Sequence, residues 1–210
     1  MNTYQLIRDI PIEEGYDVLI AGGGPAGAAA AICAGRLGAK VLLVEATGCL
    51  GGMGTSGLVT AFNPMNDGER MLARGIMEEI VEAMYERGFI PSYITPAFWR
   101  KKLHHWTPFN PEGLKLLLDE LAIDACVEVR FFTSVIDADA KPGEGHVEGI
   151  ILHNIEGYRY VRAKAFIDAT GDAVLADICG AKCREAGRDT PVTLCLQRSV
   201  HFLPELIGRR

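Results

Sequence analysis

The sequence lacks the basic stretches that bind a nucleic-acid backbone. Its 210 residues include 21 Lys and Arg against 27 Asp and Glu, so the formal net charge is −6. No run of Lys and Arg is longer than the three residues at 100–102. Because nucleic-acid-binding proteins concentrate positive charge on one face or along one helix, we expect no nucleic-acid partner.

Closely spaced cysteine pairs are also missing. The six cysteines, at positions 33, 49, 126, 179, 183 and 195, form no C-x-x-C pair, which is the usual ligand spacing of zinc sites and iron–sulfur clusters. Cys179 and Cys183 are one helical turn apart, but no histidine or third cysteine accompanies them. We interpret both as buried thiols and predict no metal site.

No signal peptide or membrane-spanning helix is expected. Residues 18–34 are apolar and near the N-terminus, but acidic residues precede them where a signal peptide has basic ones. The glycines and the proline between 22 and 27 would break a spanning helix. We therefore expect a cytoplasmic protein with free thiols and no membrane partner.

What the sequence does contain is a glycine-rich loop between two short apolar segments. Residues 16–21 and 41–44 have the continuous apolar character of strands buried on both faces of a parallel sheet. Between them, residues 26–37 are rich in helix formers and end at Gly38. Strand, helix and strand together have the size of one βαβ unit. The predicted class is α/β, with a Rossmann-like domain built on a parallel sheet.

The loop carries the pattern Gly22-x-Gly24-x-x-Gly27, which is weak by itself. Its context is typical of dinucleotide binding, because Glu45 closes the second strand 18 positions after Gly27. Gly22 permits the tight turn, Gly24 lets the backbone approach a pyrophosphate, and Gly27 allows the helix to pack closely on the strand. The helix N-terminus would face the phosphates, and Glu45 the ribose diol. The loop predicts FAD or NAD; the alternative is a glycine turn that binds nothing.

Helices and strands are predicted further along the chain. One helix has Ile76, Ile80, Val81 and Met84 on its apolar face, and a second begins after Asn110 as its N-cap. The segment 89–110, rich in proline and aromatics, shows no clean periodicity. Strands are predicted at 127–135, 147–153 and 158–163, then at 165–167, followed by a short helix at 173–179.

Two further stretches choose FAD over NAD by resemblance. The segment VEATGCLGGMGTSGLVT (44–60) resembles the part of flavoproteins with two dinucleotide-binding domains in which a Gly-Gly loop follows the ribose-binding acid. The segment FIDATGDAVLADICGA (166–181) resembles their Ala-Thr-Gly-Asp strand end, which returns to the nucleotide. Between them, 109–138 resembles their helix, strand and adenine-side residue, and the three strands before 166 resemble their β-meander crossover. The chain thus resembles the FAD-dependent oxidoreductase family that includes relatives of heterodisulfide reductase.

This resemblance implies that FAD contacts come from all of these segments. The implied residues are Gly22, Gly24, Pro25, Ala26, Gly27, Glu45, Ala46, Gly51, Gly52, Val135, Ala169, Gly171 and Asp172. Asp172 and Thr170 can also satisfy backbone donors in a strand-to-helix turn, and for Asp172 we favour this capping role over a direct FAD contact.

The resemblance also implies a two-electron reaction, with hydride passing between FAD and an organic substrate that the sequence does not identify. Only Cys49 lies near the Gly-Gly loop, and it precedes the loop, which disfavours a disulfide-reductase mechanism. His104 and His105 are candidates for proton transfer, against the alternative of a surface loop with local aromatic packing. Some relatives bear iron–sulfur clusters, but no ligand set for one is found here.

Family members extend further, through a substrate domain that completes the FAD site. We therefore expect an FAD-binding domain at 1–185, with 61–110 as an excursion toward the substrate side, and the start of an incomplete substrate domain at 186–210. A homo-oligomer or a partner subunit could cover the missing half. Two alternatives stay open: a catalytically incomplete nucleotide-binding fragment or partner subunit, and an NAD-dependent dehydrogenase.

Overall fold

The computed structural model describes residues 3–101, 106–141 and 146–182. Strands and helices alternate through the first half of the chain, and strands dominate the second. In chain order the elements are β1 (Ile12–Ala21), α1 (Pro25–Arg36), β2 (Val41–Val44), β3 (Ala61–Phe62), α2 (Ile76–Glu86), α3 (Pro96–Lys101), β4 (Thr107–Pro108), α4 (Pro111–Asp124), β5 (Glu128–Arg130), β6 (Ser134–Ala140), β7 (Val147–Asn154), β8 (Gly157–Asp168) and α5 (Val174–Ile178).

Six of the strands form one sheet in the order β5-β2-β1-β8-β7-β6. The first four are parallel neighbours, whereas β7 and β6 continue the sheet antiparallel. Val44 of β2 and Asp168 of β8 both pair with Ala21, so the three central strands end at one edge, which we call the carboxyl edge. The predicted α/β class with a Rossmann-like parallel sheet is confirmed. β3 and β4 pair in a separate two-stranded sheet.

Each face of the parallel strands is covered by a different layer, which explains their continuous apolar sequences. On one face, Ile20 and Leu43 pack with α1, α2 and α4. On the other face, Leu19 and Leu42 pack with Ile150 and other apolar residues of the antiparallel strands. Leu19, Ile20, Leu42 and Leu43 are all fully buried.

The predicted elements of the first 125 residues match the structure closely. β2 has the predicted bounds, and α1 differs from its predicted range by one residue at each end. Asn110 caps α4 as predicted, since its side-chain oxygen accepts hydrogen bonds from the backbone N–H groups of Glu112 and Gly113. The irregular segment 89–110 contains α3 and β4, which the sequence did not predict.

The single strand predicted at 127–135 is wrong, because the chain leaves the sheet after Arg130. Phe132 has a left-handed backbone conformation with φ of 50°. Its N–H donates to the carbonyl of Thr47 (3.1 Å), and the N–H of Thr133 donates to the carbonyl of Glu45 (2.9 Å). These bonds to the chain after β2 replace strand pairing, and β6 begins on the far side of the sheet.

The separate strands predicted at 158–163 and 165–167 are one continuous strand, β8. It changes partner without a break: Tyr158–Tyr160 pair with β7, and residues from Tyr160 to Asp168 pair with β1. The predicted β-meander crossover is therefore present as β6-β7-β8, and its first strand starts at Ser134. No helix in the described ranges combines the length and apolar character needed to cross a membrane.

Candidate dinucleotide-binding site

The loop between β1 and α1 has the conformation that its glycines predict. Gly22 has a φ of 98°, and a Cβ placed on it would lie 2.4 Å from the carbonyl oxygen of Ala169. A Cβ on Gly27 would lie 1.8 Å from the carbonyl oxygen of Gly22. A side chain at either position would therefore separate the loop from its neighbours. The predicted tight turn and close helix packing are both present.

Gly24 differs from its two partners because its side is open. No heavy atom lies within 4 Å of a Cβ placed there. Gly24 is the N-cap of α1 without a side-chain cap, and exposed Pro25 and Ala26 follow with no acidic residue in the first turn. The N-terminus of α1 thus presents backbone N–H groups and the positive end of its dipole, as anion-binding helix termini do.

Glu45 fastens the end of β2 to this loop. Its carboxylate accepts hydrogen bonds from the N–H of Gly23 (2.6 Å) and the N–H of Thr47 (2.7 Å), one at each oxygen. The residue is buried, and the exposed Ala46 follows it. Because an ionised carboxylate has about four acceptor positions, two are left for further donors such as ribose hydroxyls.

The Gly-Gly loop touches the first glycine loop through its backbone. The N–H of Gly51 donates to the carbonyl of Gly23 (2.8 Å), and a Cβ on Gly52 would lie 2.9 Å from the Cα of Gly24. Both Gly51 and Gly52 have positive φ, 98° and 48°. No side chain fits between the two loops, so glycine is needed at Gly52 for this approach.

The end of β8 completes the arrangement from the other side of β1. The N–H of Ala169 donates to the carbonyl of Ala21 (2.8 Å), which places Ala169 against Gly22. Gly171 follows with a φ of 84°, and no heavy atom lies within 4 Å of a Cβ placed there. Four separate segments of the chain therefore meet at the carboxyl edge.

The capping role predicted for Asp172 is wrong. Its side chain is exposed and has no hydrogen bond to any described residue. Asp168 caps the turn instead, by accepting from the N–H groups of Thr170 (3.0 Å) and Ala176 (2.8 Å). The predicted contribution of Thr170 is confirmed, since its hydroxyl accepts from the N–H of Val174 (3.0 Å).

The remaining candidates lie further out. Val135 is in β6 opposite Leu152, two residues after Thr133, which bonds to the backbone of Glu45. His104 and His105 lie outside the described residues, as does Cys183. Over the described ranges, no group of three or more His, Cys, Asp or Glu side chains could bind a metal ion.

Sequence reasoning missed three residues that build the site. The N–H of Gly23 bonds to Glu45; buried Thr55 donates its hydroxyl proton to the carbonyl of Leu50 (2.6 Å), which closes the Gly-Gly loop; and Asp168 organises the turn after β8. A polar residue at the end of an apolar strand was a signal for Asp168. Nothing in the local sequence indicated the other two bonds.

The family of the chain follows from a profile match. A profile described as FAD dependent oxidoreductase matches residues 17–201. The chain belongs to the FAD-dependent oxidoreductase family. Because FAD is the cofactor of this family, the prediction of FAD is confirmed at the level of the family. The open side of Gly24, the free N–H groups of α1 and the spare acceptor positions of Glu45 fit an adenine dinucleotide. A comparison with curated proteins found no match.

Solved structures share the fold of this chain. A geranylgeranyl bacteriochlorophyll reductase-like protein from Thermoplasma acidophilum is 23% identical, with a TM-score of 0.52 over 75% of this chain and 39% of its own. THI4 from Thermovibrio ammonificans is 20% identical, with a TM-score of 0.53 over 80% of this chain and 64% of its own. The p-nitrophenol 4-monooxygenase PnpA from Pseudomonas putida DLL-E4 is 14% identical, with a TM-score of 0.56 over 80% and 44%. At these identities the likeness shows the fold alone, and this chain spans less than two thirds of each structure.

Proposed function

We propose that this protein is an FAD-dependent oxidoreductase in which hydride passes between bound FAD and a small organic substrate. The observation that carries the proposal is the convergence of two glycine loops, Glu45 and the turn after β8 at one edge of the sheet. Family membership supports the redox class. The relation to heterodisulfide reductase stays a prediction.

Each segment of the site would contact a different part of the cofactor. The N–H groups at the start of α1 would donate to the pyrophosphate, beside Gly22, Gly24 and Gly27. The carboxylate of Glu45 would accept from the ribose hydroxyls, with Ala46 adjacent. FAD supplies hydride transfer, and the protein residues orient it and exclude water.

The other contacts in the proposal rest on the resemblance. Gly51 and Gly52 would run along the cofactor, Val135 would lie beside the adenine, and the segment containing Ala169, Gly171 and Asp172 would return to the nucleotide. His104 and His105 stay candidates for proton transfer near the substrate. The proposal also includes the domain boundaries, the cytoplasmic location, and a homo-oligomer or partner subunit.

Spectroscopy and titration of the purified protein test cofactor binding. We expect a visible flavin spectrum, release of FAD on heating, and FAD binding that is much tighter than that of FMN or NAD. In Glu45→Gln, one of the two backbone N–H groups would face an amide NH2, so the Kd for FAD should rise about tenfold. Glu86→Gln is the control, because Glu86 is exposed at the end of α2 and should leave the Kd unchanged.

Reduction of the bound cofactor tests the redox part. Without oxygen, NADH and NADPH, and then a panel of organic reductants, would be compared for reduction of bound FAD and of free FAD. Faster bleaching of the bound form by any of them supports the oxidoreductase. Bound FAD that is reduced no faster than free FAD across the whole panel would favour the nucleotide-binding fragment, and selective binding of NAD would favour the dehydrogenase.

A further inference from the structure

Asp168, the last residue of β8, accepts three hydrogen bonds from the turn that follows it. One carboxylate oxygen accepts from the N–H (3.0 Å) and the hydroxyl (2.7 Å) of Thr170. The other oxygen accepts from the N–H of Ala176 in α5 (2.8 Å). A single side chain therefore connects the end of the strand, the turn and the helix.

The turn between β8 and α5 needs such support because its backbone is strained. Ala173 has a φ of 58°, a left-handed conformation that a residue with a Cβ rarely adopts. A residue in this region costs of order 1–3 kcal/mol and persists only where its surroundings determine it. Here the hydroxyl of Thr170 also accepts from the N–H of Val174, so Asp168 and Thr170 fix both sides of Ala173.

The supported turn lies directly against the first glycine loop. The Cβ position of Gly22 is 2.4 Å from the carbonyl oxygen of Ala169 and 2.9 Å from the Cα of Thr170. The Cβ position of Gly27 is 3.2 Å from the Cβ of Ala169. A shift of the turn would therefore move the backbone on which Gly22 rests.

We propose that Asp168 is a positioning residue for the dinucleotide: it holds the turn after β8 against Gly22 and so sets the glycine loop in the geometry that the phosphates need. The inference rests on the proposed function. It assigns the cofactor-related role of this acidic cluster to Asp168, which acts through Thr170 and Ala169, and requires no contact between Asp168 and FAD.

The electrostatics of Asp168 suit this role. Burial by itself would raise the pKa of its carboxyl, but the N–H donors of Thr170 and Ala176 and the Thr170 hydroxyl lower the pKa below its usual value. The carboxylate is thus ionised at neutral pH, and its hydrogen bonds are charge-assisted and strong. The same charge, after the larger effect of burial, raises the pKa of the Cys179 thiol.

The test is the affinity of Asp168→Asn for FAD. An asparagine has the same size, but its NH2 would face the N–H of Thr170 or Ala176. We expect the Kd for FAD to rise roughly tenfold or more, the change that follows the loss of one charge-assisted hydrogen bond. The titration is made at a temperature where circular dichroism shows the variant fully folded, so a loss of stability alone leaves the Kd unchanged.

Two further variants and a second ligand complete the test. Asp177→Asn removes an exposed acid from α5 and should keep the wild-type Kd. Thr170→Val, which removes the hydroxyl between Asp168 and Val174, should weaken FAD in the same direction and serves if Asp168→Asn does not fold. ADP, which presents only adenosine and phosphates, should lose as much affinity as FAD in both variants.

The outcomes separate the inference from the function on which it rests. If wild-type protein binds neither FAD nor ADP, the proposed function fails. If it binds both and folded Asp168→Asn binds them equally well, Asp168 is structural only and the inference is overturned. Equal weakening in Asp177→Asn, or weakening of FAD without ADP, would also contradict it, because the effect would not pass through the phosphate-binding loop.

Discussion

Replacing Gly24 by alanine should separate cofactor binding from folding. Gly24 has a φ of −63° and a ψ of −174°, which any residue adopts. A Cβ at this position meets no heavy atom within 4 Å. The free energy of unfolding should therefore stay within about 0.5 kcal/mol of wild type, or rise by about 0.4–1 kcal/mol because alanine restricts the unfolded chain.

The cost of the substitution should appear only when the dinucleotide is present. The added methyl group would stand at the open side of the loop, where the phosphates approach the N–H groups of α1. Loss of one hydrogen bond to a charged phosphate corresponds to about 1.5–3 kcal/mol. Since 1.4 kcal/mol is a factor of about ten, the Kd for FAD should rise roughly 10- to 150-fold.

Urea unfolding of the protein without FAD and a fluorescence titration with FAD measure the two quantities independently. An unchanged Kd would contradict the expectation for binding, because it would mean that the phosphates do not approach Gly24. A loss of more than about 1 kcal/mol in stability would contradict the expectation for folding, because the space beside Gly24 would then not be open.

Three further substitutions test the packing and hydrogen bonding around the site. Gly27→Ala should lower the free energy of unfolding by about 1–3 kcal/mol despite the better helix propensity of alanine, because its Cβ would lie 1.8 Å from a carbonyl oxygen; unchanged urea unfolding would contradict the close contact of α1 with the end of β1. Asn110→Ala should lose about 1 kcal/mol, since it removes the N-cap of α4; thermal unfolding measures it, with Ser92→Ala as an exposed control. Burial and a hydrogen bond to Glu128 raise the pKa of Tyr16 to about 12, so its contribution to stability is complete below about pH 10 and is lost as pH rises toward 12. Tyr16→Phe should therefore show a shallower loss of stability than wild type between these pH values, and parallel curves would contradict the shift.

The sequence predicted those parts of the fold that depend on neighbouring residues. The glycine loop, the bounds of β2 and the cap at Asn110 each follow from a few adjacent side chains and their backbone preferences. The turn at Phe132 could not be predicted in this way, because its N–H groups bond to carbonyls that lie more than eighty residues earlier. Local patterns carry no record of such partners.

The candidate site shows the same division. Glu45 was found because its spacing from the glycines is a local signal, but its bond to Gly23 depends on how β1 and β2 pair. The capping role was assigned to Asp172 because the residue stands inside the turn. The structure gives the role to Asp168, whose position in the strand directs its carboxylate toward α5. Which of two nearby acids faces a turn depends on strand register, and the local sequence does not determine it.

The pairing of β8 with β1 has a consequence for biosynthesis. β1 is the first strand of the sheet to leave the ribosome, whereas β8, which lies beside it, is the last. Until β8 is made, the β1 edge that will pair with it has no partner, and Gly22 lacks the support of Ala169. Contacts so distant in sequence form slowly, and exposed strand edges invite pairing with other chains. The nascent protein therefore acquires a complete dinucleotide site only late in translation, and an early supply of cofactor should not rescue shorter nascent chains.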